Sequence, residues 1–156
     1  EVLEADVRSQ KILRRLRVQG GPFGVALDRA GRHLFVTCRD SDRVVAVDTR
    51  EFKQVDSIEV GDAPVAIAFC TTKAGDRLLV ANSVSDNISV LEPSPLRELA
   101  RPQAGREPHA VAVAADGSIA YVANRLATTE TVLSVPQSEL TLLDPARAHA
   151  PTPQAV

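Results

Sequence analysis

A few side chains in this 156-residue chain have the types and spacing for binding chemistry, provided that separate loops come together. Arg39 and Arg125 each follow a short β-rich run, and Ser83 stands at the equivalent place after a third such run. Two guanidinium groups at one mouth would attract an anion or a carboxylate. Solvated loops would carry the same residues for solubility alone. His109, directly after Pro108, would add a ligand or substrate contact at that mouth, or would only pack there. Its counterparts in similar segments are Phe23 and Val65, so repetition does not build a histidine cluster, and no metal site is expected. Asp40, Asp42, Arg43, Asp86, Asn87 and Glu130 are further polar residues of these loops, and Asn82 and Asn124 close the runs that precede two of them. Asp40-Ser-Asp42 lacks both the glycine and the distal glutamate of a calcium loop. Cys38 beside Arg39 is a candidate reactive thiol, because a neighbouring cation lowers a thiol pKa. Two buried, inert thiols at Cys38 and Cys70 are the alternative. The order of residues offers no nucleophile elbow, phosphate-binding glycine loop, CxxC or CxxCH. No catalytic group, covalent c-type haem or other cofactor is therefore assigned to these residues.

Such loops need a scaffold, and the chain spells one out by repetition. Gly21-Pro22-Phe-Gly-Val-Ala-Leu, Ala63-Pro64-Val-Ala-Ile-Ala-Phe and Glu107-Pro108-His-Ala-Val-Ala-Val follow one another at intervals of 42 and 44 residues. Each leads through a turn with glycine (Gly31, Gly75, Gly117) into Leu34-Phe-Val-Thr-Cys38, Leu78-Leu-Val-Ala-Asn82 or Ala120-Tyr-Val-Ala-Asn124. A polar loop and a third apolar run ending in Asp48, Glu92 or Asp144 come next, and a fourth run closes the unit. Short β-rich runs bounded by Gly, Pro and Asp read as strands. Four of them per unit of roughly 40 residues is the pattern of a β-propeller blade. An α/β alternative would need helical periodicity between the strands, and the only hint, Leu96–Leu99, is bracketed by Pro93, Pro95 and Pro102. The fold class expected is all-β, with blades of four antiparallel strands.

Counting back 16 residues from Pro22, the spacing between the acid of one unit and the proline of the next, lands on Asp6. Residues 1–21 are therefore expected to hold the third and fourth strands of a preceding blade. Residues 22–61 and 62–105 form full blades, and 106–145 a blade lacking its fourth strand. The tail 146–156 is rich in Pro and Ala. In the third unit the distance from Asn124 to Asp144 is 20 residues where the other units have 10, which places a loop insert at about 126–138. It is either a specificity loop or a neutral expansion. About 13 strands make a little over three blades, an incomplete ring, since closed propellers have at least four. The remaining blades belong either to a longer polypeptide or to further copies, so a homo-oligomer that completes the ring is the alternative. Open strand edges would make an isolated piece prone to association.

Composition narrows the partners. Eighteen Lys and Arg against 20 Asp and Glu give a net charge of −2, which does not favour nucleic acid. Met and Trp are absent, aromatics are four Phe and one Tyr, and the longest apolar runs, such as Ala63–Cys70, are too short to span a bilayer.

Phe35-Val-Thr-Cys38, Leu79-Val-Ala-Asn82 and Tyr121-Val-Ala-Asn124, with the punctuation Val60-Gly-Asp-Ala-Pro64, resemble the YVTN-type β-propeller repeat over residues 1–145. Cys38 departs from the repeat's Asn, and the first unit has Gly20-Gly21 where Gly61-Asp62 stands in the second. The resemblance implies an extracytoplasmic, periplasmic or secreted protein. Its function would be binding or scaffolding, with rim loops presented to a protein partner or an attached domain. It also implies an alternative: part of an enzyme or redox-accessory propeller, lactonase-like or paired with a haem, quinone or copper centre, whose catalytic groups lie mainly outside these residues. In that case His109, Arg39 and Arg125 are the local contribution, and a haem-containing domain is the partner.

Overall fold

The computed structural model describes residues 1–114 and 116–126, and the backbone of the strands at 131–134 and 141–143. A two-stranded sheet, β1 (Val2–Asp6) and β2 (Lys11–Leu16), comes first. Three four-stranded antiparallel meanders follow. They are β3 (Pro22–Leu27), β4 (His33–Cys38), β5 (Arg43–Asp48) and β6 (Lys53–Glu59); then β7 (Pro64–Thr72), β8 (Gly75–Asn82), β9 (Asn87–Pro93) and β10 (Leu96–Ala100); then β11 (Pro108–Val113), β12 (Ile119–Asn124), β13 (Thr131–Ser134) and β14 (Thr141–Leu143). The expected all-β architecture of antiparallel blades is the observed one, with the β1–β2 pair ahead of the first four-stranded blade.

Register repeats from blade to blade. Pro22 pairs with Cys38, Pro64 with Asn82 and Pro108 with Asn124, and the ladder slips directly after each proline. Successive residues of a strand face opposite sides of its sheet, so each central strand serves two interfaces. Phe35, Val44 and Ala46 pack with Leu78, Val80 and Leu91 between the first two full blades. On the other side of the same strands, Val36, Cys38, Val45 and Val47 meet Val2 and Val18. Leu79, Ala81, Ile88 and Val90 meet Ala120 and Val122 of the last blade. The core is thus three slabs between blades, built almost wholly from Val, Leu, Ile and Ala.

One expectation fails in the last blade. Thr131–Ser134, expected inside a loop insert at 126–138, is the third strand and pairs with β12, placing Thr131 opposite Val122. Thr141–Leu143, expected in the third strand, is the fourth and pairs with β13. The blade does not lack its outer strand, and the described residues hold 14 strands rather than about 13. The error came from taking Asp144 as the acid that closes a third strand, because in the other blades such an acid holds the turn after that strand. Asp6 and Asp48 accept the N–H of Ser9 and Glu51 at 2.7 Å in the turns after strand three. Asp144 instead follows strand four in the sequence, while the β-branched run Thr131-Val132 already satisfies the pairing of β12. The tail 146–156 lies outside the described residues. No helix among the described residues is long and apolar enough to cross a membrane.

Candidate functional site

Two sets of loops meet at one end of the blades, and backbone bonds weld them. Arg39 N–H donates to Gly21 O at 2.9 Å, Ser83 N–H to Ala63 O at 3.0 Å and Arg125 N–H to Glu107 O at 2.9 Å. The residue after each second strand is thereby tied to the residue before each proline. Gly21, Ala63 and Glu107 all have a left-handed backbone, with φ of 68°, 51° and 53°. For a residue with a Cβ this conformation carries a cost, and an aspartate offsets it in both non-glycine cases. Asp42 Oδ1 accepts Ala63 N–H, and Asp86 Oδ1 accepts Glu107 N–H, each at 2.8 Å. These latches join each blade's loop to the start of the next blade. Sequence reasoning placed both aspartates among solvated loop charges; their interval of 44 residues, equal to that between Ala63 and Glu107, was the signal available.

The slip in the ladder beside each proline leaves Val65 and His109 out of register with the neighbouring strand. Bulges of this kind re-aim a side chain at the rim of a sheet. His109 is exposed there, as is Phe23 at the matching position.

These side chains converge. A cavity of about 440 Å³ is lined by Phe23, Val65 and His109 from the three inner strands and by Arg39, Ser83 and Arg125 from the three loops after second strands. Val84, Asp86, Arg106 and Glu107 complete its wall. Three of the residues singled out from sequence, His109, Arg39 and Arg125, therefore line one mouth. Their charges are not equally available. Arg125 is engaged by Glu107, with Nε donating to Oε2 at 2.7 Å and a further guanidinium contact at 2.6 Å. Arg39 has only a loose pair with Asp40, at 3.8 Å. Arg106, which sequence reasoning did not single out, is exposed and forms no ion pair among the described residues.

The other candidates fall elsewhere. Asn82 is fully buried, and its amide donates to Asn87 Oδ1 at 2.8 Å and Ser89 Oγ at 3.0 Å. It ties β8 to β9 and is not a rim contact. Gly61 makes room for that knot: a Cβ there would stand 2.6 Å from the Asn82 amide nitrogen. Asn124 is half-buried at the end of β12, outside the cavity wall. Glu130 lies outside the described residues, as does most of the segment expected as an insert.

Cys38 is not a reactive thiol. Strand alternation turns it inward, its side chain is fully buried against Val2 and Val18, and burial pushes its pKa up. Arg39, next in sequence, faces outward and does not lower it. Cys70 is also buried and free, and burial raises its pKa as well. Among the described residues no three His, Cys, Asp or Glu side chains are grouped to hold a metal ion.

No family model matches the chain, and no curated protein matches it. Solved structures do. Hydrazine synthase of Kuenenia stuttgartiensis aligns at 26% identity and a TM-score of 0.71, over 83% of this chain and 37% of that one. The dihydro-haem d1 dehydrogenase NirN, in complex with DHE, aligns at 15% identity and a TM-score of 0.69, over 87% and 30%. A 6-phosphogluconolactonase-like protein of Bacteroides fragilis aligns at 13% identity and a TM-score of 0.69, over 89% and 44%. The chain spans less than half the length of each of these structures. All three have propeller-type folds, and this chain shares their blade architecture.

Proposed function

We propose that this chain is an arc of an extracytoplasmic β-propeller of the YVTN-repeat type, and that it binds a protein partner or an attached domain through the rim described above. The observation that carries this reading is the convergence of six equivalent side chains, two from each blade, on one mouth. Rigid repeats that hold variable residues at equivalent places form a recognition surface without needing catalytic groups. A photo-crosslinking residue at position 84, on the rim, tests the reading against one at Arg29, which lines a separate cavity with Cys70 and Gly117. A discrete adduct in the periplasmic or secreted fraction from position 84 alone is the expected result. Adducts from neither position, or equally from both, would overturn it.

A second reading has support of its own: a redox-accessory or enzymatic propeller, paired with a haem domain, to which His109, Arg39 and Arg125 contribute. The likeness to hydrazine synthase and to NirN favours it. A stoichiometric haem or metal in the purified full-length protein, with turnover lost on His109→Ala, would decide for this reading.

A further inference from the structure

We propose that the rim cavity binds a small carboxylate carried on an apolar body, with Arg106 as the principal anchor, Arg39 and His109 as flanking donors, and Phe23 and Val84 as the surface for the apolar part. The proposal rests on the binding reading for its location and goes beyond it in naming a ligand class.

Three arginines line the mouth, against the carboxylates of Asp86 and Glu107. Glu107 is occupied by Arg125, and Asp86 Oδ1 by the backbone N–H of Glu107. Both acids thus serve the loops that build the site. What remains facing solvent is the Arg106 guanidinium, unpaired among the described residues, the loosely held Arg39 and the exposed His109 ring. A guanidinium presents N–H donors in a fork that fits a carboxylate with two parallel hydrogen bonds. Arg106 is suited to this because no acid among the described residues pairs with it.

Apolar exposure beside those donors gives the second half. Phe23 is 59% exposed and Val84 65% exposed, and both line the same mouth. They stand at inner-strand and loop positions of different blades, so the wall they form depends on assembly of the arc. A bare inorganic anion would leave this surface wet. A ligand with a ring or a short hydrocarbon chain beside its carboxylate would cover it while meeting Arg106.

Calorimetric titration of the whole chain with phenylacetate, with its neutral isostere phenylacetamide and with inorganic phosphate tests the assignment. Phenylacetate is expected to bind; phenylacetamide and phosphate should bind at least about tenfold more weakly, because each lacks one of the two recognised features. Arg106→Gln should weaken phenylacetate by about tenfold or more, as expected for loss of a charge-assisted hydrogen bond. It should leave the thermal midpoint unchanged, since the side chain is exposed and pairs with no acid among the described residues. Phe23→Ala should weaken phenylacetate and leave the poor binding of phosphate as it was. Equal binding of phenylacetate and phenylacetamide, equal binding of phosphate, no binding of any probe, or an Arg106→Gln protein that binds as before would each overturn the proposal. Crosslinking from position 84 needs none of these ligands, so failure here leaves partner capture to be judged separately.

Discussion

Ile67 and Val25 hold the same place on successive inner strands, as do Phe69 and Leu27. Ile67 and Phe69 pack into the slab containing Phe35, Leu78 and Leu91. Val25 and Leu27 are 56% and 53% exposed. The trailing side of the arc repeats the contrast: Phe35 and Leu79 are fully buried, while Tyr121, their counterpart, is exposed. Nothing in residue type separates the covered positions from the open ones. A blade does not make a core by itself; its faces become interior when a neighbouring blade is laid on them, so stability resides in nearest-neighbour interfaces. Beside the open inner strand lies a cavity of about 470 Å³, lined by Leu3, Ala5, Leu27, Leu34 and Phe52. It occupies the flank of β1, whose other edge pairs with β2. Only the outer part of that interface is closed. Arg14 of β2 lies over the Phe52 ring at 4.6 Å, pairs with Glu4, and donates to Thr49 O at 2.8 Å and Arg50 O at 2.9 Å.

The largest effect should come from breaking a covered face. Leu79→Ala empties a fully buried position between two blades, and the expected loss is about 2–5 kcal/mol. Leu27→Ala on the open face should cost under about 1 kcal/mol, since a truncated side chain that was already wet leaves no cavity. Urea unfolding of the two variants checks this. Similar losses would mean that the open face is covered in solution.

Next in size are the latches. Asp42→Ala and Asp86→Ala each leave a backbone N–H without its acceptor beside a left-handed residue, at an expected cost of about 1–3 kcal/mol. Asp40→Ala, which removes only an exposed pair at 3.8 Å, should fall within about 0.5 kcal/mol of wild type. If Asp40→Ala cost as much as Asp42→Ala, the latch would carry no special share of the loop's stability.

These aspartates also show what the sequence could convey. Proline at the head of each inner strand, the Leu/Tyr-Val-Ala-Asn runs and the glycine turns have local causes, so the repeat was legible from residues alone. The convergence of His109, Arg39 and Arg125 was legible too, because equivalent places in a repeat must share one end of the scaffold. Asp42, Asp86 and Asn82 act between segments about 20 residues apart or inside a polar knot, and their type alone does not distinguish a latch from a solvated charge. Arg106 was missed for the opposite reason: what matters is that it has no ion-pair partner among the described residues, and a missing partner leaves no mark on a string of residues. In the last blade an acid stood in for a strand end, and hydrogen-bond pairing overruled it.

A smaller, pH-dependent effect belongs to the end of the blades opposite the cavity. Burial alone would raise the Asp28 carboxyl, but N–H bonds from Arg32 and His33 and the nearby His33 ring hold it below its ordinary value of 3.8. A lowered folded-state pKa means that the unfolded chain takes up the proton first, so this carboxylate stabilises the fold above pH 3.8 and the contribution fades as pH falls through the folded value. Asp28→Asn should be less stable than wild type at pH 6, and the gap should shrink towards pH 3. A gap that stays constant across that range would show that the carboxylate's charge is immaterial.

The smallest expected effect is the one that most sharpens the contrast between covered and open faces. Leu27→Thr should change stability by no more than about 0.5 kcal/mol in the chain as it stands, because the side chain is half in water. A copy of residues 61–86 fused directly before Glu1 would alter that. Glu1 and Val2 match Asn87 and Ile88 in the repeat, so the copied hairpin would arrive in register to pair with β1 as the inner strands of its blade. The copied Leu79 and Ala81 would then face Val25 and Leu27, as the originals face Val111 and Val113. Leu27→Thr in the fused protein should cost about 1–3 kcal/mol, the ordinary loss for putting a hydroxyl into a newly made interior. If the substitution stayed neutral there, while the fusion raised stability, the added strands would be docking somewhere else, and exposure of Val25 and Leu27 would reflect local geometry rather than an uncovered blade face.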